Sequence, residues 1–143
     1  MKITTRGRYA LRTCIALARL EKEKGAVSIG VLAELENISF VFLEQIFFKL
    51  RKAGLVSSVR GPSGGFHFAK PLDQITVKEI LEAAGEDMKI IFCNKRTENC
   101  EKIGECLCHH IWEEADNIIN NYFSSITLAS ILEKNKKNPF MTL

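Results

Sequence analysis

No apolar run in this sequence approaches the length of a membrane span. The start, Met1-Lys2 ahead of an apolar patch, has the outline of a secretory leader. Arg6, Arg8, Arg12 and Arg19 interrupt that patch, however, and no small-residue cleavage site follows. A cytoplasmic protein is expected. Catalytic motifs are missing too: there is no G-x-S-x-G, no P-loop, no H-E-x-x-H and no carboxylate pair in a cleft-like context. An enzyme is therefore not expected. Paired C-x2-4-C knuckles, which wrap one tetrahedral zinc ion in a finger or ribbon, are also absent.

The chain of 143 residues is 46% hydrophobic, enough for one modest core or a small domain with an appendage. Its net charge of +3 conceals an asymmetry. Residues 1–70 hold twelve Lys and Arg against five Glu, or +7, while the remainder holds eight against twelve acidic residues, or −4. A basic half joined to an acidic half points to a polyanion-binding module linked to something else.

Apolar positions Tyr9, Ala10, Cys14, Ile15, Leu17, Ala18 and Leu20 recur at helical spacing between a Thr4 or Thr5 cap and a Gly25 stop. Cys14 falls on that stripe and is expected in the core. Val27-Ser28 opens a second helix, from Ile29 to about Glu36, with Ile29, Leu32, Ala33 and Leu35 facing inward. After the turn Asn37-Ile38-Ser39, a third helix is predicted from Phe40 to Ala53, ended by Gly54. Two helices joined by a short turn, the second ending in Lys49, Arg51 and Lys52, form a helix-turn-helix candidate. A strand over Leu55–Arg60, a turn over Gly61–Gly65 and a return strand over Phe66–Ala69 follow, which makes the hairpin a wing. Arg60 would stand at its tip, where a guanidinium can enter a minor groove, and the adjoining Gly61 allows close backbone approach.

Thr76 caps a short helix, Val77–Ala84, closed by Gly85. From about Cys108 one long amphipathic helix is expected, with Ile111, Trp112, Ala115, Ile118, Ile119, Tyr122, Phe123 and Ile126 on its apolar stripe. A stripe this long, remote from the basic module, fits a second copy of itself, since DNA readers of this kind work as symmetric dimers. The tail from Lys134 is expected to be poorly ordered.

Between these parts lies C-N-K-R-T-E-N-C-E-K-I-G-E-C-L-C-H-H, residues 93–110, with four of the five cysteines and two of the three histidines. Clustered thiols in a reducing compartment favour metal or redox chemistry over structural disulfides. Cys93, Cys100, Cys106 and His109 are spaced C-x6-C-x5-C-x2-H, and ligands spread this evenly suit a multi-metal object such as an iron–sulfur cluster. Cys108 is an alternative ligand, and His110 reads as a solvated helix residue. Zinc as a structural metal and a disulfide switch among Cys100, Cys106 and Cys108 stay open, as does an iron–sulfur carrier or assembly protein in which the basic module is incidental.

The helix-turn-helix, then L-E-Q-I-F-F-K-L-R-K-A-G-L-V-S-S-V-R-G-P-S-G-G-F, then the C…C…C-x-x-H loop and a long helix, together resemble a known group. The chain is similar to the iron–sulfur cluster regulators (IscR-like) of the Rrf-two superfamily of bacterial winged-helix transcription factors. The opening M-K-I-T-T-R-G-R-Y-A-L and the segment C-L-C-H-H-I-W match as well, and the likeness runs to about residue 132. It implies a mainly α fold: a winged helix-turn-helix domain over 1–85, a cluster-binding loop over 86–107, a dimerisation helix over 108–132 and a flexible tail over 133–143. It also implies a homodimer on a pseudo-palindromic operator in double-stranded DNA, with cluster occupancy changing which sites are bound. By position Cys93, Cys100, Cys106 and His109 would hold a [2Fe-2S] cluster, drawn from iron–sulfur assembly machinery. Related members carry a [4Fe-4S] cluster that senses nitric oxide, and others carry none. Glu44 and Gln45 match base-reading positions and Arg60 the wing arginine, while Arg6, Arg8, Lys49, Arg51 and Lys52 supply phosphate contacts. The chain departs from the family pattern in its first cysteine spacing, one residue longer, in Cys108 where a small polar residue is typical, and in Val41-Phe42 where Ser-Tyr precedes Leu-Glu-Gln.

Overall fold

The computed structural model describes residues 1–91, 93, 100–102 and 104–136. Much of the cysteine loop (92, 94–99 and 103) and the tail from 137 lie outside these described residues.

Helix α1, Thr5–Lys24, starts where the Thr4 hydroxyl accepts from the Gly7 amide and ends at Gly25, φ 72°. Ala10, Cys14, Leu17 and Ala18 form its buried stripe, and burial pushes the Cys14 thiol up to about 12. Cys14 is thus a core residue, as its place on the stripe predicts. Ser28 caps α2, Ile29–Glu36, which buries Ile29, Leu32 and Ala33. Leu35, expected to face inward, is 57% exposed. In a helix of eight residues the inward stripe is already spanned by positions 29, 32 and 33, and Leu35 falls off it. Asn37, in the left-handed region at φ 53°, turns the chain, and Ser39 caps α3, Phe40–Lys52. This helix buries Leu43, Ile46, Phe47 and Leu50, an i, i+3, i+4, i+7 set, and turns all the rest outward to varying degrees.

The wing is shorter than the sequence predicts. Strands β1, Val56–Val59, and β2, Gly65–Phe68, pair antiparallel with Val56 opposite Phe68 and Val59 opposite Gly65. A third piece joins them, for Val27 and Phe66 exchange both backbone hydrogen bonds, at 2.9 and 2.7 Å. That approach requires Gly65, where a Cβ would lie 2.2 Å from the Val27 carbonyl carbon. The base of the wing is thereby fixed to the α1–α2 connection.

After a 3-10 turn at Leu72–Gln74, α4, Val77–Ala84, opens with a reciprocal Thr76/Glu79 capping box and closes at Gly85. Helix α5 spans Leu107–Ser125. The expected single long helix is in fact two. The chain straightens at Ile126-Thr127, where the Val77 amide donates to Ile126 O at 2.9 Å and the Leu128 amide to Ile75 O at 3.0 Å. Thr127 and Ser130 then cap one another at 3.1 Å and open α6, Leu128–Lys136. The break exchanges helical bonds for this bridge and seats Leu128 and Leu132 in the main core. Lys134 and Lys136, expected in a loose tail, end that helix.

The core is organised around α1, which packs against α2, α3, β2, α4 and α6. A smaller cluster of Val77, Leu81 and Met88 takes Ile119, Phe123 and Ile126 from the α5 side and so attaches that helix to α4. Each such fully buried aliphatic side chain stabilises the fold by roughly 1.5–3 kcal/mol.

Candidate functional site

With its four buried residues committed to the core, α3 presents Val41, Glu44, Gln45 and Phe48 to solvent, again at i, i+3, i+4, i+7. Glu44, Gln45, Phe48, Lys49, Arg51 and Lys52 line an open groove of about 1030 Å³ along the helix. Arg51 reaches back over the Phe48 ring, 5.9 Å from its centroid, and donates to Ser58 Oγ on β1 at 3.4 Å, which ties the end of the helix to the wing. Arg60 follows β1 at the exposed wing tip, next to Gly61 at φ 111°. Arg8 is exposed, and Arg6 is half-buried beside the start of α1. Among the described residues none of Arg6, Arg8, Lys49, Arg51, Lys52 and Arg60 pairs with a carboxylate, whereas Arg12 is tied to Glu36 at 2.8 Å. Unpaired cations along a protruding helix and hairpin are an electrostatic footprint for a phosphate backbone.

The cysteine side is less assembled. Cys93 and His109 line one cavity of about 500 Å³ together with Lys89, Trp112, Asp116 and Asn120. His109 Nδ1 is itself buried, with no hydrogen-bond partner among the described residues. Cys106 is the N-cap residue of α5 with its thiol unused as a cap, and its carbonyl accepts from the His109 amide at 3.1 Å. Cys100, Cys108 and His110 are exposed, and all five cysteines are free thiols. Among the described residues, no three His, Cys, Asp or Glu side chains gather closely enough to hold a metal ion. The structure thus places Cys93 and His109 along one cavity, with Cys106 one turn before His109 and with Cys100 and Cys108 outside its lining. A buried imidazole nitrogen without a partner is a costly orphan that ligation would satisfy. The thiols are the soft donors a cluster needs. The residues fit such a group.

Two residues that sequence reasoning missed hold this region to the DNA-binding half. Glu86, 8% exposed, caps the start of α1 from eighty residues away. Its carboxylate accepts from the Thr4 amide at 3.1 Å, the Gly7 amide at 3.0 Å and the Thr4 hydroxyl. Burial alone would raise its pKa, but these donors and the nearby charge of Arg6 outweigh it and hold the carboxyl below the usual carboxylate range. Further on, the Ile90 amide donates to Asp116 Oδ1 on α5 at 2.7 Å. Nothing in the periodicity marked either residue. A stray acidic residue just after the helix-stopping Gly85 was the only available signal.

A helix-turn-helix followed by a β-hairpin, with free cations along both, defines a winged-helix DNA-binding protein. The Rrf2 family, "Iron-dependent Transcriptional regulator", matches residues 3–134, and the chain belongs to it. A Haemophilus influenzae protein named as a putative HTH-type transcriptional regulator is 43% identical over 134 residues, covering 94% of this chain and 88% of its own. The HTH-type transcriptional regulator IscR of Photorhabdus laumondii is 38% identical over 132 residues, covering 92% and 79%. Among solved structures, T. potens IscR superposes with a TM-score of 0.76 at 30% identity, covering 100% of this chain and 93% of that one. CymR, the global cysteine regulator of B. subtilis, superposes with 0.72 at 30% identity, covering 94% and 98%. The chain is a transcriptional regulator of IscR type within the Rrf2 family. No described helix is long and apolar enough to cross a membrane.

Proposed function

We propose that this chain is a homodimeric regulator whose choice of operator depends on a [2Fe-2S] cluster held by Cys93, Cys100, Cys106 and His109. The observation that carries the proposal is His109, which lines a cavity together with Cys93 and whose Nδ1 is buried with no hydrogen-bond partner among the described residues. When bound, such a cluster supplies a one-electron centre sensitive to iron supply and oxidants. The protein residues do the rest. Lys49, Arg51, Lys52, Arg6 and Arg8 neutralise phosphates and carry affinity, and Arg60 enters the neighbouring minor groove. Glu44 accepts from a cytosine N4 amine and Gln45 pairs with an adenine edge.

The dimer reading is supported by α5, a nineteen-residue helix with no buried residue. Leu107, Ile111, Ile118 and Tyr122 stand 59–83% exposed at i, i+4, i+11 and i+15, one side of the helix, which a second copy of the helix would cover. His109 and Cys106 sit at the start of this helix, and Asp116 ties it to Ile90. Ordering the loop therefore bears on how the two halves are set apart, and with that on which half-site spacing fits.

The test is the visible spectrum of protein purified without oxygen, with iron and sulfide assayed on the same sample and operator binding compared with and without cluster. About two iron and two sulfide per chain is the expected result, and about four of each gives the [4Fe-4S] form instead. Protein that stays colourless after reconstitution, or identical affinity for every site in both forms, overturns the cluster reading. A second reading, a thiol switch on the same fold, is favoured by the exposure of Cys100 and Cys108 and by the likeness to CymR. It expects a disulfide between two of Cys100, Cys106 and Cys108 on oxidation and no iron. Bound zinc without colour would make the metal structural. Loss of DNA binding in Arg60→Ala with the cluster retained would exclude a mere iron–sulfur carrier.

A further inference from the structure

The outward face of α3 is not uniformly polar. Val41 is 64% exposed at its first turn, on the same face as Glu44 and Gln45, three and four residues on. A β-branched residue is a poor choice for an exposed helical position, and most of its surface stays uncovered within this chain. The surroundings specify what can cover it. Lys49, Arg51 and Lys52 on the same helix and Arg60 on the wing carry charge that no carboxylate of the described residues takes up. An apolar protein surface docking here would strand those cations, while a nucleic-acid backbone pairs them. Within a major groove the base edges offer hydrogen-bond donors and acceptors and one apolar feature, the C5-methyl group of thymine. The N-terminal turn of the recognition helix is the part that reaches base edges in helix-turn-helix readers.

We propose that Val41 is a specificity-determining residue that reads a thymine methyl in each half-site. This rests on the assignment of α3 as the DNA-reading helix. Val41 lies about 4.5 Å along the helix axis from Glu44, against about 3.4 Å per base-pair step, so the thymine falls one or two base pairs from the base that Glu44 reads. The valine cannot accept or donate, so this position tolerates none of the polar edges that a hydroxyl there would read. Covering one methyl contributes about fourfold in affinity, and about fifteenfold when both half-sites of a symmetric site are counted.

The probe is a random duplex library, from which the full-length protein, purified without oxygen, selects its own sites. Each thymine of the selected half-site is then replaced by deoxyuridine, which removes the C5-methyl alone, and dissociation constants are measured for wild type and Val41→Ala. The expected result is one thymine per half-site whose replacement weakens wild type about fourfold and Val41→Ala clearly less. A repeat selection with Val41→Ser should lose the preference for thymine there. Val41 is exposed, so both variants should fold, which their circular dichroism checks. A selected half-site without a fixed thymine beside the Glu44 position, or a deoxyuridine penalty equal in wild type and Val41→Ala, overturns the proposal alone. Failure to enrich any sequence overturns the DNA-reading assignment of α3 and this proposal with it.

Discussion

Replacing Gly7 by Ala should destabilise this protein, although alanine is the better helix former. A Cβ built on Gly7 lies 2.6 Å from Glu86 Oε1, 2.7 Å from its Cγ and 2.8 Å from its Cδ. The carboxylate would have to leave the start of α1. It would take with it the hydrogen bonds from the Thr4 and Gly7 amides, at 3.1 and 3.0 Å, and from the Thr4 hydroxyl. Hydrogen bonds to a charged group stabilise by roughly 1.5–3 kcal/mol each. First-turn amides can turn to water once released, so the loss for the set is about 2–4 kcal/mol. The gain in helix propensity is at most about 1 kcal/mol, which leaves a net cost of about 1–3 kcal/mol. Removing the carboxylate first reverses the sign: in a Glu86→Ala background, Gly7→Ala should stabilise by up to about 1 kcal/mol. The four chains would be compared by urea denaturation at pH 7 and one fixed protein concentration. Gly7→Ala that is neutral in the intact chain, or equally costly in both backgrounds, would refute the clamp.

The pH dependence of the same clamp follows from its sign. The folded-state pKa of Glu86 is depressed, so its contribution is fully present above the unfolded carboxylate value, about 4.3, and is lost as pH falls through the lower folded value. The stability gap between wild type and Glu86→Gln should hold from pH 7 to about 5 and close below about 4.3 in urea titrations. Lys52→Ala should weaken operator binding at every sequence and reduce the slope of log Kd against log salt by about 1, whereas Arg60→Ala should weaken most the operators with a narrow minor groove beside the half-site, both with unchanged melting. Ile118→Glu, at a site 61% exposed, should yield a folded monomer by analytical ultracentrifugation; a dimer of unchanged strength would exclude α5 as the interface. His109→Leu should lose cluster iron yet, as apoprotein, melt no lower than wild type, because it removes an unsatisfied buried nitrogen.

Local patterns and long-range contacts were legible to different degrees. Caps and stops carry their own signatures: Ser28, Ser39, Thr76 and Gly85 each occupy the position that the sequence predicts. The bounds of α3 were equally plain, whereas Glu44 and Gln45 were singled out by the family resemblance, and the buried set Leu43, Ile46, Phe47 and Leu50 then leaves both on the outer face. The break at Ile126-Thr127 was not, because no glycine or proline marks it. Its signal is a Thr-x-x-Ser cap in which serine stands where glutamate is usual, and the compensating bonds come from Ile75 and Val77, some fifty residues earlier. Periodicity over Ile118, Ile119, Tyr122 and Phe123 continued smoothly towards the break, so a single helix was the natural reading.

The same reasoning explains why the ligand loop was readable in composition and not in geometry. Thiols and imidazoles announce themselves by type and spacing, but the segment leading into them is held by side-chain-to-backbone contacts from residues of ordinary appearance. Glu86 holds the start of α1, Ile90 bonds to Asp116 on α5, and the amino terminus reaches Ile90 O at 3.4 Å. Three segments far apart in sequence therefore meet within five residues of chain, immediately before Cys93. Residues 86–90 thus contact both α1, which carries Arg6 and Arg8, and α5, which carries His109. A ligand set read from spacing alone gives four donors. Under the proposed cluster reading, the contacts around residues 86–90 are the link between those donors and the basic residues of α1.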